Sequence, residues 1–174
     1  EVGPRDGLQA EKQVVPTAIK LGWLERLIES GLDIVQVGSF VHPEKVPQMA
    51  DTDELFRRLT ASRRPGGAVL SGLVLNEKGL ERGLACGVEM FCLGVSASET
   101  HSRKNTGMGT AEATQRIVAT ALAAKRAGRE VQVSVQSAFG CGFEGRVPER
   151  RVMEIVAAYL AAGLEAVSLA DTAG

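Results

Sequence analysis

The chain has 174 residues, of which 44% are hydrophobic and 24% are charged, and this globular composition excludes a disordered, collagen-like or coiled-coil chain. Twenty Lys and Arg residues against 21 Asp and Glu residues give a formal net charge of -1. No overall positive field therefore attracts nucleic acid or an anionic membrane. We expect neither as a partner.

The sequence carries no sign of membrane insertion or of disulfide bonding. Its longest apolar run, residues 155–164, is much shorter than the roughly 20 residues of a membrane-spanning helix. The three cysteines, Cys86, Cys92 and Cys141, are odd in number and lack metal-site spacing. These features predict a reducing, intracellular compartment.

One local pattern recurs and indicates the fold class. An amphipathic helix ends in glycine, an acidic residue follows two places later, and an apolar strand begins. Glycine suits this position because it adopts the left-handed conformation that closes a helix. Such repeats predict a parallel sheet covered by helices. The glycines are Gly31, Gly87, Gly128 and Gly163, and the strands that follow them begin at Ile34, Met90, Val131 and Ala166.

Further elements complete six strands. Residues 68–75 are predicted as a strand after a turn at residues 64–67, and residues 1–2 as the end of another. Both an open doubly wound sheet and a (β/α)8 barrel fit this pattern. A barrel has eight strands and typically about 250 residues, so if the fold is a TIM barrel the chain supplies about six βα units of an incomplete one, as one domain over residues 1–174. Helices are predicted to be capped by Thr17, Asn76 and Thr110, to carry Pro148 in a first turn, and to include a short one near residues 54–59.

Polar residues follow nearly every predicted strand. In a barrel these strand ends converge on one mouth, whereas in an open sheet only those at the switch point meet, so the pattern favours the barrel over a doubly wound sheet. They are Arg5, Asp6, Gln36, Ser39, His42, Asn76, residues 96–105, Gln136, Ser137, Asp171 and Thr172.

The pair Arg5 and Asp6 has the most specific chemistry. A carboxylate at the mouth can bind a hard divalent cation, and a guanidinium can stabilise a developing enolate. A surface ion pair or an Asp-Gly turn is the more common role of such a dipeptide. Likewise, Asp171 can cap a following helix, residues 96–105 can form a solvated loop, and His42 and His101 can be surface histidines.

Residues 140–145 match the G-x-G-x-x-G pattern of dinucleotide-binding proteins. That motif requires a helix that begins within the glycines, whereas Pro148 marks a later start. We therefore expect a loop at the barrel mouth here, not an NAD site.

Several ordered segments resemble the hydroxymethylglutaryl-CoA lyase family over the whole chain. Leu8 favours this lyase over related synthases that condense acetyl-CoA with 2-oxo acids. The segments are residues 1–9 (EVGPRDGLQ), 39–41 (SFV), 46–51 (VPQMAD), 96–99 (SASE), 104–105 (KN), 140–141 (GC), 144–145 (EG) and 168–172 (SLADT).

The resemblance implies a metal-dependent barrel that cleaves 3-hydroxy-3-methylglutaryl-CoA, an acyl-CoA, to acetyl-CoA and acetoacetate with Mg²⁺ or Mn²⁺. It implies that Asp6 binds the metal, that Arg5 binds substrate and stabilises the enolate, and that Asp171 assists deprotonation of the 3-hydroxyl group. Gln9, Ser39, Asn105 and Ser168 are implied to contact substrate. It also suggests a homodimer, located in the cytoplasm or, in a eukaryote, in the mitochondrial matrix.

The chain departs from the family at two positions. Gln36 stands near the metal where the lyases carry glutamate, and His42 replaces the usual serine. The family's His-x-His metal ligands and catalytic cysteine belong to a region after residue 174, and Cys141 is not that cysteine. Two alternatives remain: a related acyl-CoA lyase or 2-oxo-acid synthase with a different substrate, or a catalytically silent CoA-binding chain.

Overall fold

The computed structural model describes residues 1–61 and 67–174. These residues form two compact units, Glu1–Phe91 and Cys92–Gly174. Each is described by itself below, and the expectation of a single domain over residues 1–174 stays a prediction. The predicted turn at residues 64–67 lies, except for its last residue, outside the described part of the chain.

The first unit opens with short helical turns and continues as alternating helices and strands. Its last strand, β3, begins at Met90. The elements are a π-helical turn at Gly3–Gly7, α1 (Leu8–Ala10), α2 (Thr17–Glu29), β1 (Ile34–Ser39), a 3-10 turn at Pro47–Met49, α3 (Thr52–Ala61), β2 (Val69–Leu73), α4 (Glu77–Cys86) and β3 (Met90–Ser96).

Strands β1 and β2 are parallel, with Ile34 opposite Val69 at one end of the ladder. Glu1 continues the pairing beside β1. Its amino group donates to Ile34 O at 2.8 Å, and its carbonyl accepts from the Gln36 N–H at 2.9 Å. This is the bonding of a residue in a parallel ladder. The predicted sixth strand is thus represented by one paired residue, which brings the next few residues alongside β1.

The second unit contains the rest of β3, then α5 (Glu99–Thr106), α6 (Thr110–Arg126), β4 (Glu130–Gln136), α7 (Glu149–Ala161) and β5 (Val167–Leu169). The Ala97 N–H donates to Gln136 O at 2.9 Å, so the end of β3 lies beside the end of β4. Strands β4 and β5 are parallel from Val133 opposite Val167 to Val135 opposite Leu169.

The glycine pattern is confirmed at all four helix ends. Gly31, Gly87, Gly128 and Gly163 have φ values of 85°, 89°, 73° and 73°, in the left-handed region that glycine adopts without a Cβ clash. The cap at Asn76 is also confirmed, because its Oδ1 accepts from the Gly79 N–H at 3.0 Å. The short helix near residues 54–59 exists as α3.

Two predicted caps are wrong because their hydroxyl groups bond elsewhere. Pro16 precedes α2, and the Thr17 hydroxyl donates to Asp51 Oδ2 at 2.9 Å. Gly109 precedes α6, and the Thr110 hydroxyl donates to Ser96 O at 3.2 Å. Pro148 occupies the N-cap of α7, one residue before the predicted first turn, so the helix does start after the glycine-rich loop.

The core of each unit is built from strand residues and the facing sides of helices. In the first unit Phe56, Phe91 and Val35 are fully buried, and in the second Tyr159 and Val133 are. Each such side chain contributes about 1.5–3 kcal/mol to folding. Burial raises the pKa of the Tyr159 hydroxyl, which contacts Ser134 O at 3.1 Å. Within the described ranges, no helix is long and apolar enough to cross a bilayer.

Two helical glycines of the first unit provide a matched test of the packing. A Cβ at Gly83 in α4 would lie 2.5 Å from the Phe91 ring, whereas one at Gly22 in α2 would meet nothing within 4 Å. We expect Gly83→Ala to lower the free energy of unfolding by about 1–3 kcal/mol through overpacking. Gly22→Ala should raise it by about 0.5–1 kcal/mol, because alanine favours the helix.

Urea denaturation of the full gene product, followed by the fluorescence of the single tryptophan, Trp23, measures both changes. Equal stability of the two alanine variants would show that α4 does not pack on Phe91 as described.

Candidate functional site

In the first unit, Arg5, Asp6 and Gln36 form one hydrogen-bonded group. Arg5 Nε donates to Gln36 Oε1 at 2.6 Å, and Arg5 Nη1 donates to Asp6 Oδ1 at 2.7 Å. Gln36 is buried in β1, and the Arg5 side chain is 18% exposed, whereas that of Asp6 is 67% exposed. The guanidinium is therefore held from two sides at the edge of the unit, with the carboxylate facing solvent.

Gln9 and Ser39 form a second hydrogen-bonded pair in the first unit. The buried Ser39 hydroxyl donates to Gln9 Oε1 at 3.1 Å and so joins α1 to the end of β1. His42 is exposed in the loop after β1, and its carbonyl accepts from the Lys45 and Val46 N–H groups. The structure thus unites Gln9 with Ser39 and leaves the His42 side chain on the surface.

Among the predicted site residues, Asp6 offers one oxygen ligand of the kind that a hard divalent cation prefers. Asp6 can provide a monodentate carboxylate oxygen, because most of its side chain faces solvent while Oδ1 accepts from Arg5. No group of three His, Cys, Asp or Glu side chains in residues 1–61 and 67–174 is placed to hold a metal. Any metal bound by Asp6 would therefore need further ligands.

In the second unit, the predicted site residues Ser168 and Asp171 lie on and after β5. Ser168 is half-buried and stands opposite Ser134 of β4. Asp171 is exposed, and its Oδ1 accepts from the Gly174 N–H at 3.2 Å, the bond that the capping interpretation predicts. Asn105 is exposed on α5. In the part of the chain that the structure describes, no hydrogen bond joins any two of these three residues.

The backbone of Ser137 is strained just after β4. Its φ of 53° lies in the left-handed region, and the residue is 1% exposed. Its N–H donates to Thr172 Oγ1 at 2.8 Å, and its hydroxyl accepts from the Ser96 hydroxyl at 3.2 Å. A non-glycine residue keeps such a conformation only where its surroundings determine it, and such positions cluster at functional sites. Ser137 therefore ties the residue after Asp171 to the end of β4.

Residues 96–105 are not the solvated loop that one interpretation of their composition predicted. Ser98 accepts from the His101 N–H at 3.1 Å and begins α5, and Ser96, Ser98 and Ser102 are buried. Ser98 caps the helix, whereas the Ser96 and Ser102 hydroxyls donate to the Ser137 hydroxyl and to Met108 O. Its cations, Arg103 and Lys104, remain exposed.

The glycine-rich loop after β4 docks on the first turn of α5. Glu144 Oε1 accepts from the Thr100 N–H at 2.5 Å. Hydrogen bonds from Thr100, with the nearby Arg151, hold the pKa of the Glu144 carboxyl below its usual value. Hydrogen bonding from the Ser98 hydroxyl and the Phe143 N–H lowers the pKa of the Cys141 thiol. These contacts join two of the segments that carry the family resemblance.

Sequence reasoning missed a buried ion pair in the first unit. Lys20 is 3% exposed, and its Nζ donates to Asp51 Oδ1 at 2.8 Å and to Gln48 O at 2.5 Å. The pair fixes the segment after β1, which carries residues 46–51, to α2. A signal was present: Lys20 precedes the buried Leu24 and Ile28 by four and eight residues, on one face of the helix.

Comparison with known proteins gives matches along the whole chain. A hydroxymethylglutaryl-CoA lyase of Bacillus subtilis is 35% identical over 174 residues, which are 57% of its length. The mitochondrial hydroxymethylglutaryl-CoA lyase of Homo sapiens is 36% identical over 174 residues, 53% of its length. The chain thus spans a little over half the length of these relatives.

Solved structures agree with the sequence matches. The Bacillus subtilis HMG-CoA lyase superposes with a TM-score of 0.90 at 34% identity, covering 96% of this chain and 55% of that one. An HMG-CoA lyase from Acinetobacter baumannii, solved with coenzyme A and 3-methylmalate, gives a TM-score of 0.91 at 33% identity over 99% of this chain and 55% of that one. The predicted fold class, part of a TIM barrel, is confirmed: the described residues form five strands with helices between them, and the strand pairs within each unit are parallel.

The model of one protein family, described as HMGL-like, matches residues 1–174. This match covers every segment that carries the Arg-Asp, Ser-Glu and Asp-Thr motifs. The chain belongs to the HMGL-like family.

Proposed function

We propose that this protein is a divalent-metal-dependent lyase that cleaves 3-hydroxy-3-methylglutaryl-CoA to acetyl-CoA and acetoacetate. The observation that carries the proposal is the hydrogen-bonded group of Arg5, Asp6 and Gln36, in a chain that matches hydroxymethylglutaryl-CoA lyases throughout. The acyl-CoA substrate is supported by the coenzyme A in the related structure.

Arg5 would stabilise the charge that develops when the carbon–carbon bond breaks. Once the 3-hydroxyl group has lost its proton, its oxygen forms the keto group of acetoacetate, and the electron pair of the broken bond moves to the thioester, which becomes an enolate. One proton, which balances the one lost from the hydroxyl group, then converts the enolate to acetyl-CoA. The bonds to Gln36 and Asp6 fix the guanidinium before the substrate arrives. A fixed cation stabilises developing charge at little reorganisation cost.

Asp6 would bind the divalent cation, Mg²⁺ or Mn²⁺, through its exposed carboxylate. When bound, the cation lowers the pKa of a coordinated hydroxyl group and orients the oxygens around it. Asp171 would accept the proton of the substrate's 3-hydroxyl group, because its exposed carboxylate can act as a general base. The substrate would also be contacted by Gln9 and Ser39 of the first unit and by Asn105 and Ser168 of the second.

A second candidate is a lyase for a related acyl-CoA, and Gln36 is the observation that favours it. In this chain Arg5 bonds a neutral amide where the resemblance places a carboxylate. The site thus carries one negative charge fewer beside the guanidinium, which alters the binding of both metal and substrate. The homodimer and the cytoplasmic or mitochondrial location stay predictions.

The Asp6 role is tested by Asp6→Asn in the full gene product. The amide is a weaker ligand for a hard cation, so we expect Mn²⁺ affinity and turnover to fall by about 100-fold or more, since even the outer partners of metal ligands are worth about 10–100-fold. Calorimetric titration with Mn²⁺ and a lyase assay measure the two effects. Asp33→Asn, an exposed carboxylate just before β1, is the matched control. Unchanged Mn²⁺ affinity would remove Asp6 from the metal site.

Arg5→Met should damage the chemical step and leave substrate binding nearly intact. We expect kcat to fall about 100- to 1000-fold with KM within a few-fold, as when a group that stabilises an oxyanion is removed. Arg5→Lys should recover only part of kcat, because an ammonium cannot reproduce the two bonds to Gln36 and Asp6. Steady-state kinetics decide, and a loss confined to KM would contradict enolate stabilisation.

The substrate is identified by a cleavage panel of 3-hydroxy-3-methylglutaryl-CoA, longer-branched 3-hydroxyglutaryl-CoA thioesters and 2-oxo acids with acetyl-CoA. We expect the highest kcat/KM with 3-hydroxy-3-methylglutaryl-CoA. A higher value for a longer-branched thioester would establish the second candidate. Tight binding of coenzyme A without cleavage of any compound would instead identify a silent binding protein.

A further inference from the structure

The phenylalanines of the chain divide sharply by burial. Phe40, Phe56 and Phe91 are at most 4% exposed, whereas Phe139 and Phe143 are 65% and 57% exposed. The two exposed rings lie in one loop, between β4 and α7. Exposure of two large apolar rings within five residues forgoes the free energy that burial would give, and such patches mark binding surfaces.

The exposed position of Phe143 is imposed by a well-connected loop. Cys141 and Gly145 exchange two backbone hydrogen bonds, at 2.8 Å and 2.7 Å. Glu144 bonds the Thr100 N–H on one side and lies 3.6 Å from the Arg151 guanidinium on the other. The ring is therefore presented to solvent by a structured turn.

A cation lies against this ring. Lys104 Nζ is 3.7 Å from the centroid of Phe143, and the His101 ring stacks on Phe143 at 6.4 Å with 24° between the planes. Ammonium groups are attracted to the faces of aromatic rings. The carboxylates nearby serve other cations, since Glu99 pairs with Arg103 and Glu144 faces Arg151. Lys104 thus adds positive charge beside an exposed ring.

The loop starts at the end of the sheet where the proposed chemistry of this unit lies. The Ala138 N–H donates to Ala170 O at 3.1 Å, directly before Asp171. Lys104 precedes Asn105, a proposed substrate contact, on α5. Lys104 and Asn105 therefore lie on the same turn of this helix, and both are exposed.

We propose that Phe143 and Lys104 bind the nucleotide end of the acyl-CoA, with the purine stacked on the ring and a phosphate paired with the ammonium. The inference rests on the proposed function and names the part of the substrate that this surface recognises. Aromatic rings stack on any base, and lysine binds phosphate as a point charge. The juxtaposition of an exposed ring and a cation matches both groups.

The test compares two thioesters with the same acyl group, 3-hydroxy-3-methylglutaryl-CoA and the pantetheine thioester that lacks the nucleotide. In the full gene product, Phe143→Ala should raise KM for the CoA thioester about 5- to 50-fold, the range that stacking on one base gives. Lys104→Met should raise it about 3- to 10-fold, an effect that weakens with added salt. Neither variant should change KM for the pantetheine thioester. Phe143→Trp should keep KM for the CoA thioester near the wild-type value, because tryptophan also stacks on a base.

Met153→Ala is the control, since Met153 is also 57% exposed but lies on α7. Equal losses with both thioesters, or no loss with either, would overturn the inference. So would a change in sedimentation behaviour in Phe143→Ala at unchanged KM, because the ring would then belong to a contact between copies of the chain.

A titration with adenosine 3′,5′-bisphosphate separates this inference from the proposed lyase activity. If no thioester is cleaved, weaker binding of this probe by Phe143→Ala than by the wild type still supports the nucleotide surface. Equal dissociation constants, or no binding to the wild type, would reject it. Loss of lyase function and loss of nucleotide recognition are thus measured independently.

Discussion

The hydrogen bond from Arg5 Nε to the buried Gln36 amide is the contact on which the proposed chemistry of the first unit depends. Arg5 and Asp6 lie in a five-residue helical turn, and a turn of that length has no stability of its own. Its position comes from β1: Glu1 pairs with the strand through two ladder bonds, and Gln36 then holds the guanidinium. Because Gln36 is neutral, the positive charge of Arg5 is balanced by the carboxylate of Asp6 without a second one from β1.

The parts of the fold that sequence predicts are those decided by local backbone geometry. A helix that ends in the left-handed conformation favours glycine whatever surrounds it, and Gly31, Gly87, Gly128 and Gly163 all show it. The caps at Thr17 and Thr110 fail for the complementary reason. Their hydroxyl groups reach Asp51 and the Ser96 carbonyl, partners that are distant in sequence, and such contacts override the local preference for capping.

The same division applies to the candidate site. Polar residues at strand ends and the family motifs identified Arg5, Asp6 and Gln36, and Arg5 does contact the other two. Sequence composition did not reveal α5, because serines that cap a helix and pack beneath it resemble serines of a loop. Nor did it reveal Lys20, since lysine is rarely buried without a carboxylate, and its partner Asp51 lies 31 residues away.

Ser137 shows how the second unit determines the position of Asp171. A left-handed serine costs roughly 1–3 kcal/mol, and it persists here because its N–H bonds Thr172 and its hydroxyl meets Ser96 in a buried setting. A different backbone conformation at Ser137 would move its N–H and its hydroxyl away from these two partners. Asp171 is itself exposed, but both of its neighbours in the chain are held by hydrogen bonds. The Ala170 N–H donates to Val135 O in β4, and Thr172 Oγ1 accepts from the Ser137 N–H. The two hydrogen bonds of Ser137 therefore offset the strain, and they fix the backbone next to Asp171.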